Sequence, residues 1–171
     1  MENAGKEVAN FISEKHGDNV EGKRVVVFAG TGNNGGDGFV AARHLAHLGA
    51  IVDVVLLGSA KQIHTEEAIH NYKALENMIF TIKKHAITDS TELKTVSGLT
   101  READIIVDAI LGTGIKGKLR EPIVSAITLI NGTRALKVAV DIPSGINPDT
   151  GEANDPTIRA DATVTFHRVK R

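Results

Sequence analysis

Neither cysteine nor tryptophan occurs anywhere in the 171 residues. Without thiols the chain has no disulfide, no thiolate nucleophile and no cysteine-ligated metal. Aromatic residues are scarce, at 4%, too few to build the stacking platforms of single-strand nucleic-acid binders. Neither sign of charge dominates: 20 Lys and Arg stand against 21 Asp and Glu, for a net charge of −1. That balance leaves no electrostatic footprint for nucleic acid or for an anionic membrane. No apolar run approaches the roughly 20 residues that cross a bilayer. The opening Met1-Glu-Asn-Ala-Gly-Lys6 is polar, unlike a secretory leader. The expectation is a cytoplasmic, single-domain protein with neither nucleic acid nor membrane as partner. Hydrophobic residues make up 42% of the chain and charged residues 24%, enough for a sizeable core.

Against these absences stands one concentrated feature. Val25-Val-Val-Phe-Ala29 runs into Gly30-Thr-Gly-Asn-Asn-Gly-Gly-Asp-Gly38, which holds five glycines, two asparagines and one acid. Glycine permits close backbone approach and positive φ. A loop that then opens a helix presents free N–H groups to an anion. A phosphorylated ligand is therefore expected across this loop.

The rest of the chain alternates strand and helix patterns. A helix is expected over 4–16, with Ala4, Val8, Phe11 and Ile12 on one face, and strands over 24–29 and Ile51–Leu57. Between those strands, Phe39, Val40, Leu45 and Leu48 mark a helix ending at Gly49. Further on come a helix over about 64–77, a weak strand at Ile79–Ile82 and a capped helix start at Asp89-Ser-Thr-Glu92. A strand at Asp104–Leu111, a helix at Leu119–Ile130 and strands at Leu136–Val140 and Ala162–Phe166 complete the pattern, with Thr150–Thr157 a polar loop. This order implies an α/β fold, a mostly parallel sheet with helices on both sides. Such sheets bind ligands beyond the carboxyl ends of their strands, where the strand order reverses.

Three polar clusters sit at strand ends. Besides the glycine loop there are Asp108-Ala-Ile-Leu-Gly-Thr-Gly-Ile-Lys-Gly117 and Asp141-Ile-Pro-Ser-Gly145. Each of Asp108 and Asp141 has a bland role as a turn cap and a chemical one as an acid/base or cation ligand. Two carboxylates facing one crevice with Asn34 favour the chemical role. Oxygen ligands from Asn34, Asp108 and Ser144 suit a hard cation. Gly30, Gly32 and Gly35 match the dinucleotide fingerprint, which is a weak signal alone. The acid expected at the end of the second strand to hold a ribose is missing, since Asp53 lies inside the strand and its end reads Leu57-Gly58-Ser59. Asp37 near a pyrophosphate would repel it, which disfavours an ordinary NAD dehydrogenase. Lys116 or Lys118 offers a point charge for phosphate. Ser144 lacks the glycine two residues before it that a nucleophile elbow needs. His44 and His47 share a helix face without a third ligand nearby, and His16, His64, His70 and His85 read as surface residues. His167 ends the last strand.

Together, Met1-Glu-Asn-Ala-Gly5, Ala29-Gly-Thr-Gly-Asn-Asn-Gly-Gly-Asp-Gly38, Val107-Asp-Ala-Ile-Leu-Gly-Thr-Gly114, Val140-Asp-Ile-Pro-Ser-Gly145 and Ala160-Asp-Ala-Thr-Val-Thr-Phe166 resemble the NAD(P)H-hydrate epimerase family, or YjeF N-terminal domain family. They follow the family's order along nearly the whole chain. The resemblance implies a Rossmann-like three-layer αβα sandwich with a mostly parallel sheet, and an isomerase that interconverts the two epimers of hydrated NADH and NADPH, often as a homodimer, so that a partner NAD(P)H-hydrate dehydratase can use either. It assigns substrate binding to Asn33, Asn34, Gly35, Gly36 and Asp37, to Gly112, Thr113, Gly114, Ile115, Lys116, Gly117 and Lys118, and to Asp141. It places a potassium ion on Asn34, Asp108 and Ser144. Asp141 is the expected acid/base.

The family usually carries a segment before the Met-Glu-Asn-Ala-Gly motif and further structure beyond the position of Arg171. The expectation is one domain of this kind over 1–171, shortened at both ends. Two other readings remain: a nucleotide-binding or scaffold module with reduced catalysis, and a conventional NAD(P) oxidoreductase.

Overall fold

The computed structural model describes residues 1–114 and 118–166. Its strands are β1 (Arg24–Ala29), β2 (Ile51–Leu57), β3 (Ile82–Ile87), β4 (Ile105–Ala109), β5 (Leu136–Val140) and β6 (Ala162–Val164). They form one sheet in the order β3-β2-β1-β4-β5-β6, parallel at every pairing. Side chains alternate between its two faces. Val25, Val27 and Ala29 of β1 join one core, and Val26 and Phe28 join the other. Both faces are covered, so β1 is apolar and buried at every position after Arg24.

The helices divide accordingly. On one face lie α1 (Glu2–Lys15), α2 (Asn33–His47) and α3 (Glu66–Ala74), which supply Val8, Ile12, Phe39, Leu45 and Ala68 to the first core. The Phe39 ring also packs on Tyr72, centroids 5.1 Å apart. On the other face α4 (Ser97–Arg101) lies beside α5 (Ile123–Asn131), whose Ala126, Ile127 and Ile130 enter the second core. Among the described residues no helix is long and apolar enough to cross a membrane.

The strand order reverses between β1 and β4, which puts the switch point directly after Ala29 and Ala109. The chain departs from the sequence reading at several boundaries. The third strand is Ile82–Ile87 rather than Ile79–Ile82, and Ile79 and Phe80 are exposed in the turn before it. As an edge strand it carries Lys83 and Lys84, which blunt edge pairing and dilute the apolar pattern. Asp89 does cap a helical segment, with Glu92 completing a capping box, but that segment is a 3₁₀ turn over Ser90–Thr95. The helix expected from Leu119 starts at Ile123, after Pro122. The fourth strand stops at Ala109 and the sixth at Val164.

The largest shift is in α2, which begins at Asn33 instead of near Phe39. Its glycines serve packing rather than unusual dihedrals: none from Gly30 to Gly38 has positive φ. A Cβ on Gly35 would lie 2.0 Å from the Gly30 carbonyl oxygen, and one on Gly38 would lie 2.5 Å from the Ala109 Cβ. Only bare backbone lets α2 press so closely onto the ends of β1 and β4.

Candidate functional site

A cavity of about 700 Å³ opens at the carboxyl ends of the strands. One wall is Gly30–Asn34 and Asp37, from the β1–α2 turn and the first turns of α2. A second is Ile110–Gly114, following β4, and a third is Asp141 with Phe166. All three polar clusters seen in the sequence therefore meet at one rim. Leu57, Ile110, Leu111, Ile123 and Phe166 supply apolar surface for a flat ring.

The start of α2 is open for an anion. Its N-cap, Gly32, has no side chain to cap it, and no acid lies in the first turn. The leading N–H groups and the positive end of the helix dipole face the cavity wall.

Beneath the rim lies a buried polar wire. Asp108 is fully buried at the end of β4. Ser144 donates to it from its backbone N–H at 2.8 Å and from its hydroxyl at 2.6 Å, and the Ile110 N–H adds a longer bond at 3.2 Å. Leu111 donates its N–H to Ser144 Oγ at 2.9 Å, and Asn34 Nδ2 donates to the Leu111 carbonyl at 3.0 Å. Asn34, Leu111, Ser144 and Asp108 thus form one connected network joining α2 to the loops after β4 and β5. Burial pushes the Asp108 carboxyl up to about 6, against the pull of its bonds from Ser144 and Ile110. No cationic side chain pairs with Asp108 among the described residues.

Asp141 follows β5 with φ of 66°, the left-handed region. Aspartate is one of the few non-glycine residues that reach this region, and Asp18, in an exposed turn, shares it. The backbone is held in place by the Asp141 N–H, which donates to Val164 of β6 at 2.8 Å. Thr165 Oγ1 reaches Asp141 Oδ1 at 3.5 Å. Asp37 is half-buried in the same cavity. Burial pushes its carboxyl up to about 6; the ammonium at Met1 opposes the shift, and the Asp141 carboxylate adds to it.

Of the residues singled out in the sequence, Asn33, Asn34, Asp37, Gly112, Thr113, Gly114 and Asp141 line the cavity. Asp108 and Ser144 lie buried below it. Gly35 and Gly36 are buried against the chain itself, Gly36 beneath the Met1 side chain. Lys118 is exposed and outside the cavity wall. Ile115, Lys116, Gly117 and His167 lie outside the described residues.

Sequence reasoning missed His64 and Thr65 as lining residues, and the apolar surface of Leu57, Ile123 and Phe166. His64 is exposed yet borders the cavity, because its N–H bonds the Thr31 carbonyl at 3.3 Å. His44 pairs with Glu2 at 2.8 Å, and among the described residues no cluster of His, Cys, Asp and Glu could hold a metal.

A doubly wound parallel sheet with a cleft at its switch point defines an α/β protein whose ligand site lies beyond the carboxyl ends of its strands. The chain belongs to the family described as YjeF-related protein N-terminus, which it matches over residues 1–171. It is 51% identical to a protein from Cenarchaeum symbiosum named NAD(P)H-hydrate epimerase, across 99% of this chain and 75% of that one. A second protein of that name, from Nitrosopumilus maritimus, is 48% identical across 100% of this chain and 75% of its own length. A bifunctional NAD(P)H-hydrate repair enzyme Nnr from Methanothermobacter thermautotrophicus is 49% identical across 99% of this chain, which spans 32% of that longer protein. Among solved structures, yeast ynu0 superposes with a TM-score of 0.81 at 28% identity, covering 96% of this chain and 68% of the yeast chain.

Proposed function

We propose that this chain epimerises the hydrated carbon of hydrated NADH and NADPH. The observation that carries the reading is Asp141, anchored at the end of β5 and lining one cavity with the uncapped start of α2. The ligand's diphosphate lies against the α2 N-terminus. Its hydrated nicotinamide ring lies toward Asp141 and Phe166.

Inversion at a carbon bearing a hydroxyl beside a ring nitrogen needs no redox change. It needs one group that gives and takes a proton, whether the route is loss of the hydroxyl or opening of the ring. Along the first route the protonated Asp141 carboxyl donates to the hydroxyl. The C–O bond breaks with its electron pair leaving on water, and the ring nitrogen lone pair forms an iminium. Water then adds to the opposite face and gives its proton to solvent, from which the carboxylate is reprotonated. The relatives named as bifunctional repair enzymes support a dehydratase as the functional partner drawing on both epimers.

The donor set under the cavity fits a potassium ion. Asp108 accepts three hydrogen bonds, leaving lone-pair capacity on a carboxylate that can accept about four. Ser144 Oγ keeps one lone pair, and Asn34 Oδ1 stays available because its amide donates through Nδ2. All three are oxygen donors, as a hard cation prefers. Asn34, Asp108 and Ser144 would hold the ion, whose charge would offset that of the buried carboxylate and would order the loops of the site.

The test is to add the purified chain to a single epimer and follow appearance of the other, in potassium and in lithium buffers. Faster equilibration than in buffer alone, and faster in potassium, supports the reading. Tight binding of an adenine dinucleotide with no acceleration would make the chain a binding module.

A further inference from the structure

Beside the main cavity lies a second lobe of about 510 Å³, and Thr31, Leu57 and Ile123 line both. The second lobe lies beyond β2 and β3. Its polar walls are Ser59 and Gln62 after β2, Thr88 after β3, and Glu121 before α5. We propose that this lobe receives the adenosine ribose of the substrate and selects a 2′-hydroxyl against a 2′-phosphate, so that hydrated NADH is preferred to hydrated NADPH. The inference rests on the epimerase reading for the identity of the ligand.

Position supports it first. In a sheet of this strand order the end of β2 is where the ribose of a dinucleotide is read, by an acid when its 2′-hydroxyl is free. Here that end carries Gly58-Ser59, with no acid. The carboxylate comes instead from across the lobe, as Glu121. Its Oε2 accepts the Ser125 N–H at 3.2 Å, which fixes the head group at the start of α5.

Charge and hydrogen bonding then set the selectivity. Gln62 is oriented by Ser59, whose N–H and hydroxyl donate to Gln62 Oε1 at 2.7 and 3.1 Å. That leaves the Gln62 NH₂ group to donate to a ribose oxygen. Thr88 is backed by a second carboxylate, donating its N–H and hydroxyl to Glu92 Oε2 at 2.7 and 3.1 Å. Among the described residues no lysine or arginine lines the lobe, although Lys61 and Arg120 neighbour lining residues in sequence. A ribose hydroxyl can donate to Glu121, whereas a 2′-phosphate brings up to two negative charges beside it, with no lysine or arginine among the described lining residues to meet them.

The experiment measures binding of adenosine 5′-diphosphoribose and of its 2′-phosphorylated analogue by calorimetry, with wild type and Glu121→Gln. Glutamine keeps an acceptor for the Ser125 N–H and removes only the charge. The expected result is at least about tenfold tighter binding of the unphosphorylated probe, with the gap narrowed in the variant. Equal affinities, or tighter binding of the 2′-phosphate, would overturn the selectivity while leaving the epimerase reading intact. If folded wild-type protein binds neither probe, the nucleotide reading itself fails and the inference falls with it.

Discussion

Ser144 grips both carboxylate oxygens of Asp108, from its backbone N–H at 2.8 Å and its hydroxyl at 2.6 Å, although 36 residues separate the two. The same hydroxyl accepts the Leu111 N–H. Replacing Ser144 by alanine leaves a buried carboxylate short of a donor and a backbone N–H short of an acceptor. Ser144→Ala is expected to lose about 1–3 kcal/mol of stability, read from the denaturant midpoint. An unmoved midpoint would mean the network contributes nothing net.

Two carboxyls contribute stability that is lost as pH rises. In the folded chain Asp37 and Asp108 are both pushed up to about 6, against an ordinary value of 3.8. Between those values each of the two binds more protons in the folded than in the unfolded state, so the stability they contribute falls as pH rises through the window. Asp37→Asn removes one of the two groups. Its stability should fall less steeply between about pH 4 and pH 6 than that of wild type, in urea titrations at both ends. Parallel profiles would contradict the raised titration of Asp37.

The glycines of α2 and α4 should respond in opposite ways. At Gly38 an added methyl meets Ala109 at 2.5 Å, so Gly38→Ala is expected to lift α2 from β4 at a cost of about 1–3 kcal/mol. At Gly98 nothing lies within 4 Å, and Gly98→Ala in α4 should gain about 0.4–1 kcal/mol through a stiffer unfolded chain. Thermal melts of both variants check the pair. A neutral Gly38→Ala would deny the close contact of helix and strand.

Around the third strand, burial and hydrophobicity part company. Phe80 is 96% exposed and Ile87 is 2% exposed. Phe80→Ser should change stability by less than about 0.5 kcal/mol, while Ile87→Ala should cost about 2–5 kcal/mol. Equilibrium unfolding distinguishes them, and the reverse order would restore the strand to Ile79–Ile82.

That contrast shows what was legible in the sequence. Strands β1, β2, β4 and β5 lie between helices on both faces, so their apolar runs announce them. The edge strand β3 has too few buried positions to do so. The start of α2 was hidden because its glycines look like a loop, while their role is to let a helix approach backbone. The strand-end rule brought Asn34, Asp108 and Asp141 into one region without coordinates. It could not separate Asp141 at the rim from Asp108 beneath it, since that depends on which side chain the next turn buries. Nor could it find His64 or pair His85 with Asp53 at 2.7 Å, because both contacts join elements distant in sequence.

The most direct measurement is the interconversion rate of a single purified epimer with Asp141→Asn beside wild type, with dinucleotide affinity determined in parallel. A fall of at least about 100-fold in rate, at little changed affinity, is the expected result. An undiminished rate in the variant would contradict Asp141 as the proton donor and acceptor of the cavity.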